Sequence, residues 1–202
     1  STDQTLAQLV PFEDEISGVI SEPDDGLYYA VNKGLDRATG DIIGILNGDD
    51  YYMHPRVLDL YADKFENTHI GIAFGDLEYF PPNRPDKTIR TYSSRKFTRE
   101  KLRLGWMPPH PTTFIRRSVY DTIGKYSTDY NISSDFEFLI RALWLHGIEF
   151  DRIDSVVVRM QYGGLSTKGL VSTYRLNQEI IRACRSNGPK TGWPTIMLKF
   201  PE

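Results

Sequence analysis

The chain has 202 residues, of which 24 are Lys or Arg and 27 are Asp or Glu, giving a formal net charge of −3. At 40% hydrophobic and 25% charged it reads as one soluble globular domain long enough to bury a core, and the charge balance excludes duplex nucleic acid as a general partner. A single cysteine, Cys184, excludes an internal disulfide and any Cys/His zinc spacing, and no apolar run approaches the roughly 20 residues needed to cross a bilayer.

The chain opens on "STDQTLAQLV", without a methionine, where Thr2 or Asp3 can cap a short helix carrying Leu6, Leu9 and Val10. A domain rarely begins at such a point, so an upstream segment is expected. "ISGVIS" (16–21) predicts a short strand, and "EPDDG" a turn leading into a helix with Leu27, Ala30, Val31, Gly34, Leu35 and Ala38 on one face, ended by Gly40. "DIIGIL" (41–46) is apolar on both faces, as a buried parallel strand is. Pro55 then opens a helix with Val57, Leu58, Tyr61, Ala62 and Phe65 inward, and 70–80 reads as another strand. This βαβαβ alternation predicts an α/β fold with a mostly parallel sheet and helices on both faces. Ligands of such sheets bind outside the carboxyl ends of the strands, where "NGDD" (47–50) falls.

In the second half, 107–126 mixes a proline-rich loop, a short strand and a short helix. Residues 133–147 form a helix capped by Ser133 or Ser134, with Phe138, Leu139, Ala142 and Leu143 apolar and Gly147 as its end. "RIDSVVVRM" is a strand, "QYGGLSTKG" a loop, and 170–186 a last helix with Arg175, Glu179, Arg182 and Arg185 on its polar face.

Taken singly, the polar positions each have two readings. Asp49 and Asp50 suit a hard divalent cation that completes its shell with phosphate oxygens, or they belong to an ordinary turn. Asp135 is a helix-start carboxylate that serves either as a cap or as a general base. His110, fixed between prolines, can touch phosphate, metal or substrate, or is a plain loop histidine. Asn32 and Lys33 leave the apolar stripe and face phosphate or water. The loop holding Ser166 and Lys168 has the composition of a lid over phosphates or of a flexible surface turn.

Together, "SEPDDGLYYAVNKGLDRATGDIIGILNGDD", "HPTTFIRRSVYDTIGKYSTDYNISSDFEFLIRAL" and "GGLST" occur in an order that resembles family 2 glycosyltransferases of the GT-A, Rossmann-like fold. They are especially similar to bacterial polysaccharide enzymes of the O-antigen and colanic-acid type carrying "SEPDxGIYDAMNKGI…GxxxxFLNSDD". The resemblance covers about residues 1–170. It implies one GT-A domain, with 1–80 as the nucleotide-sugar half and 81–170 as the acceptor half, followed by a C-terminal helix and tail (171–202). The family's first strand and helix would lie upstream of Ser1.

The resemblance also implies an activity: inverting, metal-assisted transfer of a sugar from a UDP, GDP or dTDP donor to an acceptor hydroxyl in cell-surface polysaccharide synthesis. Asp135 falls on the catalytic base. Asp49, with Asp50 second, falls on the Mg²⁺ or Mn²⁺ ligands. Asn47 replaces the first acid of the family's DxD motif and is left to bond ribose or phosphate. Asn32 and Lys33 fall beside the diphosphate, His110 near diphosphate or metal, and Ser166 and Lys168 in a loop closing over the donor. The implied partners are the nucleotide-sugar and a saccharide or lipid-linked acceptor, in a cytoplasmic protein with peripheral contact at the inner face of the membrane. A sugar-nucleotide-binding protein without turnover, or a metal-dependent nucleotidyltransferase, is the alternative.

Overall fold

A computed structural model describes residues 3–163 and 169–197. In chain order the helices are α1 (Thr5–Leu9), α2 (Leu27–Arg37), α3 (Val57–Phe65), α4 (Arg117–Ile123), α5 (Ser134–Ile140), α6 (Gly169–Asn187) and α7 (Trp193–Met197). The strands are β1 (Ile42–Gly44), β2 (Tyr51–Tyr52), β3 (Ile70–Phe80), β4 (Arg90–Tyr92), β5 (Phe114–Arg116) and β6 (Glu149–Gln161). They form one sheet in the order β1-β5-β3-β6-β2, with β4 beside β3.

The expected α/β class holds, but the strand directions correct the expectation of a mostly parallel sheet. Among the described residues only β3 and β6 are parallel neighbours, and β5 sits antiparallel between β1 and β3. β1, β3 and β6 nonetheless run the same way, so their carboxyl ends share one edge of the sheet. The cause is β5: it follows the proline-rich loop without a crossover helix, and so returns antiparallel.

The sheet separates two apolar layers. On one face, Val57, Tyr61 and Phe65 of α3 pack on Ala73, Leu77, Phe114 and Val157. On the other, Ile72, Phe74 and Ile115 belong to one cluster with Tyr28 and Leu35 of α2, Val119 and Tyr120 of α4, Phe136, Phe138, Leu139 and Ile140 of α5, and Ile180, Ile181, Ala183 and Cys184 of α6. Burial pushes the Cys184 thiol up to about 12, which removes it as a nucleophile near neutral pH.

Several elements depart from the predicted ones. Residues 16–21 form no strand, and Val19 and Ile20 are exposed. α2 buries Tyr28 and Leu35 while Leu27 is exposed, so its inner face is turned one residue from the predicted stripe. It stops at Arg37, short of Gly40, because Ala38 is extended. α3 exposes Leu58 and Ala62, which were expected inward. β1 is only three residues long and half-buried. β3 spans the expected residues, and Phe138, Leu139, Ala142 and Leu143 are all buried as expected. The α5 helix continues through a π turn (Arg141–Leu145) to Gly147 at φ 63°.

Candidate functional site

The turn after β1 closes on itself. The Asp50 N–H donates to the Asn47 carbonyl at 3.1 Å, and the Asn47 side-chain amide donates to Asp50 Oδ2 at 2.8 Å. Asp49 is exposed, whereas Asp50 is 7% exposed. Asp50 Oδ1 is buried and has no hydrogen-bond partner among the described residues. Burial raises the Asp50 carboxyl above its ordinary range; the Asn47 amide opposes this, the neighbouring Asp49 charge adds to it, and the Gln161 backbone opposes it.

An orphaned buried carboxylate oxygen beside an exposed carboxylate is a costly arrangement that a divalent cation would relieve. The residues therefore fit such an ion, which Asp49 and Asp50 would hold. Among the described residues no group of three His, Cys, Asp or Glu side chains is placed to hold a metal, so the rest of the shell would come from phosphate and water, as magnesium usually accepts.

β1 pairs with β5 in the register Gly44↔Phe114, so the chain leaving β1 toward Asn47 lies alongside the chain arriving at β5. That arriving chain is the 3-10 turn His110–Thr112. It is held down by Thr112, whose hydroxyl reaches the Gly75 and Pro109 carbonyls at 3.0 and 2.8 Å. His110 Nε2 meets the Tyr126 hydroxyl at 3.0 Å. Burial lowers the His110 pKa, and the Asp135 charge nearby offsets part of that.

Asp135 lies in the first turn of α5 and is half-buried. Its Oδ1 accepts the Phe136 N–H at 2.8 Å and lies 3.2 Å from the Tyr28 hydroxyl, which also has the Ile132 carbonyl at 2.9 Å. One phenolic proton thus has two acceptors. The Asp135 backbone N–H in turn approaches the Tyr28 oxygen at 3.4 Å. Burial, then the Asp135 charge, raise the Tyr28 pKa far above its ordinary value, so the phenol stays a neutral donor. Asp135 Oδ2 has no partner among the described residues. A half-buried carboxylate fixed through one oxygen and open at the other suits a general base. The expected serine caps are not formed: Ser133 bonds Glu179, and Ser134 bonds the Ser127 carbonyl.

The structure thus brings Asn47, Asp49 and Asp50 to one end of the sheet with His110 alongside, and links Asp135 to His110 through the stacked rings of Tyr28 and Tyr126. Two residues expected beside the diphosphate are otherwise engaged. The Asn32 amide donates to the Tyr126 carbonyl at 2.8 Å and accepts its N–H at 3.1 Å, pinning α2 to the 126 segment. The Lys33 ammonium is paired with Glu22 and with Asp24, the latter at 2.6 Å. Ser166 and Lys168 lie outside the described residues. Tyr28 was not singled out by the sequence, because it stands off the predicted stripe of α2 and meets Asp135 across more than a hundred residues of chain.

Comparison with known proteins adds an independent line. Residues 1–124 match the sequence profile described as "Glycosyl transferase family 2", a span that ends before Asp135. An uncharacterized glycosyltransferase of Mycobacterium tuberculosis is 31% identical over 143 residues, covering 70% of this chain and 53% of that protein. A PGL/p-HBAD biosynthesis glycosyltransferase of the same species is 27% identical over 174 residues, covering 82% of this chain and 64% of that one. The chain therefore spans between half and two thirds of the length of these relatives. S. aureus TarS in complex with UDP-GlcNAc superposes with a TM-score of 0.67 at 17% identity, over 94% of this chain and 56% of that one. The mannosyltransferase PcManGT from Pyrobaculum calidifontis, in complex with GDP-Man and Mn²⁺, gives 0.61 at 16% identity, over 96% and 55%. At such identities the two superpositions show the fold alone.

Proposed function

The chain belongs to glycosyl transferase family 2, with that family's GT-A-like α/β fold, and from this premise we propose that it transfers a sugar from a nucleotide-diphospho-sugar to an acceptor hydroxyl with inversion. The observation that carries the reading is the Asp135 carboxylate, fixed through Oδ1 by the Phe136 N–H and the Tyr28 hydroxyl and open at Oδ2, with Tyr28 stacked on the Tyr126 that meets His110.

In this proposal the acceptor oxygen bonds to the anomeric carbon as the bond from that carbon to the diphosphate oxygen breaks. The acceptor proton passes to Asp135 Oδ2, and the nucleoside diphosphate leaves with the electron pair. Tyr28 and the Phe136 N–H hold Oδ1 throughout, so the carboxylate does not rotate away from the hydroxyl. A divalent cation bound by Asp49 and Asp50 would neutralise charge growing on the leaving group. Asn47 orients Asp50 through its side-chain amide, a role other than the expected contact to ribose or phosphate.

UDP-GlcNAc and GDP-mannose are the donors to try first, being those bound in the structural relatives. The acceptor is proposed as a saccharide or a lipid-linked saccharide of the cell surface. The relative named for PGL/p-HBAD biosynthesis supports glycoconjugate assembly without choosing the O-antigen or colanic-acid branch. No described helix is long and apolar enough to cross a membrane. Peripheral contact, which stays a proposal, would use the exposed Trp193 and Met197 beside Arg182 and Arg185. Titration calorimetry with Mn²⁺ tests the metal assignment. Donor binding that is lost in Asp49→Ala supports it, and unchanged binding contradicts it.

A further inference from the structure

Asp135 is delivered to the site by the loop 129–133, and that loop is held from α6. Glu179 Oε1 accepts the Asn131 N–H at 3.0 Å, and Oε2 accepts the Ile132 N–H at 3.0 Å and the Ser133 N–H at 2.9 Å. Oε2 also accepts the Ser133 hydroxyl at 2.9 Å. One turn further along α6, Arg182 donates to the Asp129 carbonyl and lies 4.0 Å from the Tyr130 ring centroid. Residues 129 to 133 are thus each engaged by one of two neighbouring α6 side chains. Tyr28 takes the Ile132 carbonyl from the other side.

This arrangement is more than surface decoration. Among the described residues no cation forms an ion pair with Glu179, so its charge is met by amide and hydroxyl dipoles. Each of these is a charge-assisted hydrogen bond, stronger than a neutral one. The three N–H groups precede the first turn of α5, whose own serines make no side-chain cap. A carboxylate from another helix therefore fixes the approach to α5, and with it the placement of Asp135.

We propose that Glu179 is the positioning residue for Asp135: it locks 131–133 so that the open carboxylate oxygen of Asp135 keeps its direction toward the acceptor hydroxyl. This rests on the reading of Asp135 as the base. A residue that only held the fold together would change stability. A positioning residue lowers kcat while leaving the KM for a donor bound at the Asp49 end unchanged.

The test uses the whole chain, with Glu179→Gln, Ser133→Ala, their double variant and Asp135→Asn. Deuterium uptake is followed in the peptide covering 129–136, with β3 as internal reference, alongside Mn²⁺-dependent nucleoside diphosphate release from UDP-GlcNAc and GDP-mannose. Glu179→Gln turns one acceptor into a donor facing N–H groups. It is expected to speed exchange at 131–133 and to lower kcat, each by about tenfold, equivalent to about 1.4 kcal/mol. Exchange in β3 stays unchanged and donor KM stays within about twofold. Ser133→Ala acts in the same direction but less, and the double variant is less than additive because the two changes remove a shared bond. Unchanged exchange in 131–133, or an unchanged kcat, overturns the proposal. So does a raised donor KM at unchanged kcat. Where Glu179→Gln also speeds β3 exchange, Ser133→Ala decides: no shift in either readout overturns the proposal. Full turnover by Asp135→Asn removes the base reading itself. An inactive Asp135→Asn beside a fully active Glu179→Gln removes only the positioning role.

Discussion

Asp50 has one carboxylate oxygen bonded to Asn47, and its buried Oδ1 has no hydrogen-bond partner among the described residues. Asp50 therefore costs stability in the absence of a cation, which would relieve it. Its pKa is raised in the folded state, so the fold is favoured by Asp50 at low pH and loses that contribution as pH rises through the folded value. Asp50→Asn is therefore expected to raise Tm at pH 7 by about 2–4 °C, the equivalent of about 1 kcal/mol, while weakening Mn²⁺-dependent donor binding; a lowered Tm in calorimetry contradicts this. Tyr28→Phe removes a donor from Asp135 Oδ1 and leaves the Phe136 N–H in place. About tenfold lower kcat with unchanged donor KM is expected in steady-state assays. At this scale Asp49 and Asp50 stood out because two adjacent carboxylates after an apolar run are chemically conspicuous. Tyr28 was not legible, since its meaning lies in a contact with residue 135 that no local pattern encodes.

Short elements were the hardest to read, and the reason is geometric. β1 holds together over three residues because Gly44 lets Phe114 approach: a Cβ there would lie 2.5 Å from the ring. Phe114 in turn stacks on Tyr61 with centroids 3.9 Å apart, tying β5 to α3. Gly44→Ala is expected to cost about 1–3 kcal/mol in urea unfolding, as over-packing does; a loss below about 0.5 kcal/mol would show that the ring can move aside. Long apolar elements such as β3 and α5 follow from periodicity alone. The strand expected at 16–21 does not form a ladder, because strand propensity without a neighbouring edge gains no hydrogen bonds. The inner face of α2 is turned by one residue because Tyr28 has a polar target, the Asp135 loop, that an apolar stripe does not reveal.

Across the whole molecule, three co-directional strands bring the turn after β1 and the ends of β3 and β6 to one edge, and α5 and α6 complete a shared core on one face. The α/β class was readable from the alternation of elements, and so was the sheet edge to which that alternation brings residues 47–50. The antiparallel placement of β5 was not, because strand direction depends on connections the pattern leaves open. The titrating groups give a pH signature. The His110 pKa is lowered in the fold, so its contribution is complete above its unfolded value near 6.5 and is lost as pH falls below it. Partial burial raises the Asp76 carboxyl, but Ser94, Arg152 and Ser93 together bring it below its ordinary value, and backbone amides outweigh partial burial in the same way for Glu179. Their contributions are present above their unfolded values, 3.8 and 4.5, and are lost as pH falls through the folded ones. Tm is expected to be level from pH 7 to 8 and to fall in two stages, below about 6.5 and again below about 4.5. His110→Phe removes the first stage; a first stage unchanged in that variant contradicts the assignment.

In the proposed reaction Asp135 removes the acceptor proton while Asp49 and Asp50 serve the donor. The most direct measurement is nucleoside diphosphate release from UDP-GlcNAc and GDP-mannose with Mn²⁺ and a saccharide acceptor, comparing the unaltered chain with Asp135→Asn. Turnover is expected to fall by about 10²–10⁴ in Asp135→Asn while Mn²⁺-dependent donor binding is retained. Equal turnover by the two proteins would contradict it.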